Sequence, residues 1–225
     1  MSRRAGGLAA DPEWRAKMAK ASSVQDEDSA AAPGLGTIAT RIAEAGSRKG
    51  PPPVHLWNPP FCGDIDMRIA RDGTWFYGGS PIGRPALVRL FASVLRKDGD
   101  RHVLVTPVEK VGITVEDAPF LAVEVMRDPD GIVRFRTNME EWLAVGADHP
   151  LRFEPGASEA LKPYVRVRGD LWALVNRPVF YDLVAAGETR EVDGVAMFGI
   201  ASGGTFFPMM EASRLEDFDT GPRLG

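Results

Sequence analysis

From residue 54 onward, apolar and polar positions alternate mostly with period two, which predicts short strands joined by Gly- and Asp-rich turns. Ile65, Met67 and Ile69 fall on one side of a strand at 64–71; Asp72-Gly73 turns the chain and 74–77 returns it. After the Gly-rich stretch 78–83, the pattern changes period. Leu87, Leu90/Phe91 and Val94/Leu95 recur at helical spacing, opened by Arg84-Pro85 and closed at Asp98-Gly99. Strands follow at 102–106 and 111–115. Segments 120–127 and 132–137 flank Asp128-Pro129-Asp130-Gly131, a type I turn with Pro inside it and Gly after it. A strand at 142–145 leads to the turn Asp148-His149-Pro150. A second Gly-Asp hairpin joins 164–168 to 171–175, and a helix over 178–186 stops at Gly187. Strands at 195–201 and 205–209 pair around Ser202-Gly203-Gly204.

A short module is written twice in this pattern. Arg71-Asp72-Gly73-Thr74-Trp75 precedes Arg84-Pro85 and an apolar helix; Arg168-Gly169-Asp170-Leu171-Trp172 precedes Arg177-Pro178 and another. Two copies of one supersecondary unit predict matched halves with a ligand-sized cleft between them. The fold class expected is α+β: two related, antiparallel, β-rich domains, each with one amphipathic helix. We place an N-terminal extension at 1–50, the first repeat at 51–127 and the second at 128–225. Within the extension, Asp11-Pro12-Glu13 predicts a short helix to about residue 21, 22–36 is polar, and Thr37 opens a helix to Ala45 with Ile38 and Ile42 on one face. Three prolines at 51–53 stiffen the linker.

Composition narrows the function classes. The formal net charge is −4 over 225 residues, and the first 50 residues carry more Lys and Arg than Asp and Glu, so the rest is acidic. Such a body does not bind nucleic acid in bulk, and any anion site is local. One cysteine, Cys62, forbids an internal disulfide and suits a reducing cytoplasm, where we place the protein. No apolar run is long enough to span a bilayer.

Three strings carry a family resemblance: Trp57-Asn58-Pro59-Pro60-Phe61-Cys62-Gly63-Asp64-Ile65-Asp66-Met67, Thr106-Pro107-Val108-Glu109-Lys110 and Asn176-Arg177-Pro178-Val179-Phe180-Tyr181. Together they resemble a bacterial domain-of-unknown-function family, number twelve eighty-five, over about 54–209. The resemblance implies two β-rich repeats, each with a helix, the second superficially like a pleckstrin-homology partial barrel. It also implies a ligand site between the domains for a nucleotide-like molecule, and a role in signalling. It supplies no established activity and no functional residues to transfer.

The arginines suggest the candidate chemistry. Arg134 and Arg136 share a strand face, as Arg166 and Arg168 do, while Arg71 and Arg84 match Arg168 and Arg177 in the repeat. Convergence of these faces would build a basic pocket, with Lys110 from the second family string and Trp75 or Trp172 to stack a base. The competing reading is exposed strand faces carrying arginines paired with acids, and tryptophans in the core. We therefore expect a non-enzymatic ligand-binding or signalling module for a small, anionic, nucleotide-like or phosphorylated molecule, without a cofactor. One alternative is a metal-assisted hydrolase: Asp64 and Asp66 project from one strand face, with Glu109 or Asp117 to complete a site. Another is a scaffold that binds a protein partner, or a second copy of itself, through a sheet edge. Cys62 is expected as a small buried hydrophobe, and Ser80 and Ser202, both among glycines, as turn residues.

Overall fold

The computed structural model describes residues 35–45, 51–156 and 161–215. The helix expected over 11–21, most of the polar stretch before Leu35 and the tail past Leu215 lie outside the described residues. The protein is α+β, as expected: two six-stranded sheets, a three-stranded sheet and three helices among the described residues. Both six-stranded sheets are mixed, not wholly antiparallel.

The first sheet holds β1 (Phe61–Ile69), β2 (Trp75–Tyr77), β3 (Ser80–Pro81), β4 (Leu95–Asp98), β5 (Arg101–Val105) and β6 (Lys110–Val115), in the order β3-β2-β1-β6-β5-β4. The second holds β7 (Phe120–Arg127), β8 (Val133–Thr137), β9 (Trp142–Ala144), β10 (Leu151–Pro155), β11 (Leu161–Arg168) and β12 (Leu171–Val175), in the order β10-β11-β12-β7-β8-β9. The two topologies are the same. Three strands meander outward, three meander back, and the last lies parallel beside the first: β6 on β1, β12 on β7. Duplication is thus written in the sheets, with β1–β6 answering β7–β12.

This repeat is out of step with the Trp-hairpin module read from the sequence. In the first hairpin Trp75 pairs with Ile69 and is 1% exposed. In the second Trp172 pairs with Arg166 on the half-exposed face, its indole Nε1 donating to Asp170 at 3.1 Å, while Leu171 takes the buried position. The hairpin turns differ in length: Ala70 to Thr74 in one, two residues in the other. Alternation then sends the two tryptophans to opposite environments. The β11–β12 hairpin also ends its sheet's inward meander, whereas β1–β2 opens an outward one.

Three helices pack on these sheets: α1 (Leu35–Ala45), α2 (Pro85–Ser93) and α3 (Arg177–Ala185). The extension is not wholly outside the core, because α1 packs on α2 and buries Ile42 completely. Helix α2 stops at Ser93, short of Leu95. Val94 and Leu95 are fully buried, as helical spacing required, but Leu95 pairs with Leu104 and opens β4, so Asp98-Gly99 closes a β-hairpin and not a helix. Burial alone cannot distinguish these readings; the β5 edge needing a partner decides. Asn176 caps α3, its side chain accepting from the Val179 amide at 3.2 Å, with Pro178 in the first turn.

Strands β13 (Glu188–Val192), β14 (Val195–Ser202) and β15 (Thr205–Glu211) form the third sheet. Its β14–β15 tip docks on the second sheet. Ser202, 2% exposed, accepts from the Val133 amide at 2.9 Å and donates to the Val145 carbonyl at 2.8 Å, and Arg127 donates to the Ala201 carbonyl at 2.6 Å. One hydrophobic cluster runs from Ile42 and Trp75 through Phe120 and Phe135 to Ile200 and Met210, joining all three sheets.

Candidate functional site

The predicted arginines do not converge. Strands β8 and β11 are separated by β7 and β12, three interstrand steps or roughly 14 Å. No small anion bridges that span. Each guanidinium has local partners instead: Arg134 with Asp128 at 2.5 Å, Arg136 with Glu124 at 2.7 Å. Arg166 donates to the carbonyls of Asp148 and Ala147 at 3.1 and 3.2 Å. A bulge in β11 breaks the alternation that would have put Arg166 and Arg168 on one face: Arg166 sits opposite Trp172 and Arg168 opposite Leu171, neighbours that point opposite ways.

Arg168 has another role. Its Nη2 donates to the Ala92 carbonyl in the last turn of α2 at 2.5 Å, and its guanidinium lies 5.2 Å over Phe120 and 3.6 Å from Glu141. A cation at a helix C-terminus meets the negative end of the dipole. Burial lowers the Arg168 pKa, and Glu141 opposes that shift. The Lys97–Asp170 pair at 3.0 Å links the same two units. Lys110 belongs to a different cluster. It pairs with Asp98 at 2.9 Å, and Asp98 also accepts from Arg96, which holds the Val54 and Trp57 carbonyls. The Arg96 bond, with Lys110 behind it, lowers the Asp98 pKa to about 2. Arg71 is exposed at the β1–β2 turn, its amide donating to Glu116 at 3.2 Å. Arg84 occupies the N-cap of α2, and Arg177 lies along Tyr181 on α3, its Nε 3.1 Å from the hydroxyl.

The hydrolase site lacks its parts. Asp64 and Asp66 are both exposed on β1, and Asp64 is 3.7 Å from Arg101. Asp117 is bound to Lys162 and to the Tyr164 hydroxyl. Burial raises the Asp117 pKa, but those bonds outweigh it and hold the carboxyl below its ordinary value; Tyr164 is pushed up by burial and by Asp117. Among the described residues no three His, Cys, Asp or Glu are placed to hold a metal ion. Cys62 is exposed, not buried, with its Sγ 3.6 Å from the Pro60 carbonyl.

A pocket of about 270 Å³ does lie at the seam between the repeats. The first repeat supplies Gly73 and Trp75 from the β1–β2 hairpin, Ile82 and Gly83 from the following loop, and Pro85, Val88 and Arg89 from α2. Those last three are i, i+3 and i+4, one face of the helix. Asn138 and Met139, in the β8–β9 turn, form the facing wall. Buried Thr137 fixes that turn: its hydroxyl accepts from the Met139 and Glu141 amides, both at 3.2 Å, and its carbonyl accepts from Glu140 at 2.9 Å. Glu140 takes a left-handed φ of 67° there, and its carboxylate stands 3.8 Å from Arg89 across the pocket mouth. Gly73 is needed at the seam on two counts. Its φ is +80°, and a Cβ would come within 2.9 Å of Asn138 Nδ2 and 3.0 Å of Leu121 Cδ1.

Two features bear on chemistry. Trp75 is stacked on Phe91, centroids 6.3 Å apart, and its indole N–H is buried without a partner. Among the described residues lining the pocket, Arg89 alone is ionisable. Of the candidate ligand-binding residues named from the sequence, Trp75 lines this pocket, joined by Gly73 of the hairpin turn and by Ile82, Gly83 and Pro85 from the Gly-rich stretch and the helix opening. Arg89, Asn138 and Met139 were missed. Arg89 reads in sequence as one more solvated position on an amphipathic helix, and nothing local indicates that the 137–141 turn will face it.

The chain belongs to the DUF1285 family. The model of its N-terminal domain, a "domain of unknown function", matches residues 52–118, and that of its C-terminal domain, a "protein of unknown function", matches 119–209. The chain is 50% identical to a DUF1285 family protein from Silicibacter pomeroyi DSS-3 whose crystal structure is known, with a TM-score of 0.70 over 78% of this chain and 97% of that one. A DUF1285 family protein from Shewanella baltica OS155 is 28% identical, with a TM-score of 0.45 over 54% of this chain and 91% of that one. No curated protein matches. Among the described residues, no helix is long and apolar enough to cross a membrane.

Proposed function

We propose that the protein is a non-enzymatic binding module, of the kind that serves signalling, which takes a small anionic molecule into the pocket between its two repeats. One observation carries this reading: the seam holds a pocket in which, among the described lining residues, the one ionisable group is an arginine. A volume of about 270 Å³ is below the usual range of roughly 300–1,000 Å³ for drug-sized ligands, so the pocket suits a small acid or the anionic end of a nucleotide.

The test is a thermal-shift and calorimetric screen of the full chain against adenosine monophosphate, inorganic phosphate and short carboxylates. A ligand at a hundred times its Kd stabilises by about 2.7 kcal/mol, a Tm rise of roughly 5–10 °C for a fold of this size. Absence of any shift or heat across the screen counts against the reading. So does binding that survives Arg89→Gln unchanged.

A further inference from the structure

We propose that Glu140 is a resident competitor for Arg89, and that the ligand is a small monocarboxylate with an apolar body whose carboxylate takes the place of the Glu140 side chain. The inference rests on the pocket reading above and narrows it. At 3.8 Å the Arg89–Glu140 contact is too long for a hydrogen bond, and both side chains are substantially exposed, 46% and 69%. The pair therefore leaves the guanidinium fork largely unused while cancelling its charge at the pocket mouth.

The turn that carries Glu140 is fixed independently of Arg89. Thr137, fully buried, holds the backbone around it, including the left-handed residue 140 itself. The carboxylate is thus delivered from a rigid turn, while its side chain remains free to swing into water when another anion arrives. The geometry offers one guanidinium against apolar walls of Ile82, Val88 and Met139. One fork matches one carboxylate bidentately; a phosphate dianion would call for further cations, and the described residues of the lining supply none beyond Arg89.

Titration calorimetry of the full chain with isovalerate, inorganic phosphate and adenosine monophosphate separates the outcomes. Isovalerate should bind wild type, and Glu140→Gln should tighten it about three- to fivefold by removing an exposed competing charge. Arg89→Gln should weaken it roughly ten- to hundredfold, the worth of a charge-assisted hydrogen bond. Glu124→Gln deletes the same charge from the far sheet face, where it pairs with Arg136, and should leave affinity unchanged. Binding to wild type with no gain in Glu140→Gln, or an equal gain in Glu124→Gln, overturns the competitor and leaves the pocket reading standing. Tighter binding of phosphate than of isovalerate overturns the carboxylate assignment. If none of the three probes binds either wild type or Glu140→Gln, the pocket reading itself fails.

Discussion

Replacing Ser202 with alanine should destabilise the protein far more than its place in a Ser-Gly-Gly turn suggests. The hydroxyl is 2% exposed and bridges two backbone groups of the second sheet, the Val133 amide at 2.9 Å and the Val145 carbonyl at 2.8 Å. Alanine removes both bonds and leaves both groups buried without that partner. The volume of one hydroxyl is too small to admit a replacement water. Each stranded group costs about 1–3 kcal/mol, so the loss for the two should be about 2–6 kcal/mol. Urea unfolding followed by circular dichroism reads this directly: the midpoint should fall by roughly 1–2 M at an unchanged slope. Ser80→Ala is the matched control, since Ser80 also lies among glycines but is exposed on β3, and it should stay within about 0.5 kcal/mol of wild type. A Ser202→Ala midpoint indistinguishable from that control would refute the bridging argument.

Other perturbations test the seam, the third sheet and the acid response. Gly199→Ala puts a Cβ 2.3 Å from the Phe207 carbonyl oxygen and 2.9 Å from Pro208 Cα, both backbone atoms, so β14 and β15 must part; calorimetry should show a loss of more than about 2 kcal/mol. Arg168→Met keeps an apolar stem but loses the bond to Ala92 and the guanidinium over Phe120, and should lower stability by about 2 kcal/mol without changing ligand affinity at the pocket. Asp98 has a folded pKa of about 2, below its unfolded value of about 3.9, so its contribution is complete above that value and is lost as pH falls toward 2. With 29% of the side chain exposed, screening reduces this to about 1 kcal/mol, and urea midpoints between pH 5 and pH 2 should fall less steeply in Asp98→Asn than in wild type.

Hairpins and helices were legible because their signals are local. Asp72-Gly73, Asp130-Gly131 and Ser202-Gly203-Gly204 all mark the turns that period-two alternation required, and Arg177-Pro178 opens α3 as expected. Strands β3, β4, β10 and β13 were missed, and so were both parallel pairs. A parallel partner distant in sequence leaves no mark in either strand's own pattern. One inserted residue was enough to mislead the site reading: the β11 bulge separates Arg166 from Arg168, and no spacing rule foresees it. The cleft between repeats was inferred from duplication. Its lining depends on which turn meets which helix across the seam, a property of packing.

Because each sheet's last strand lies alongside its first and parallel to it, the polypeptide enters the central strand pair at the start of one strand and leaves along the same direction at the end of the other. Only residues 116–119 separate β6 from β7, so a whole six-stranded unit can be spliced in tandem without a long bridge. The same arrangement makes each central strand pair join the most sequence-distant strands of its unit. A nascent chain emerging from the ribosome cannot complete either sheet until that unit's final strand has been made.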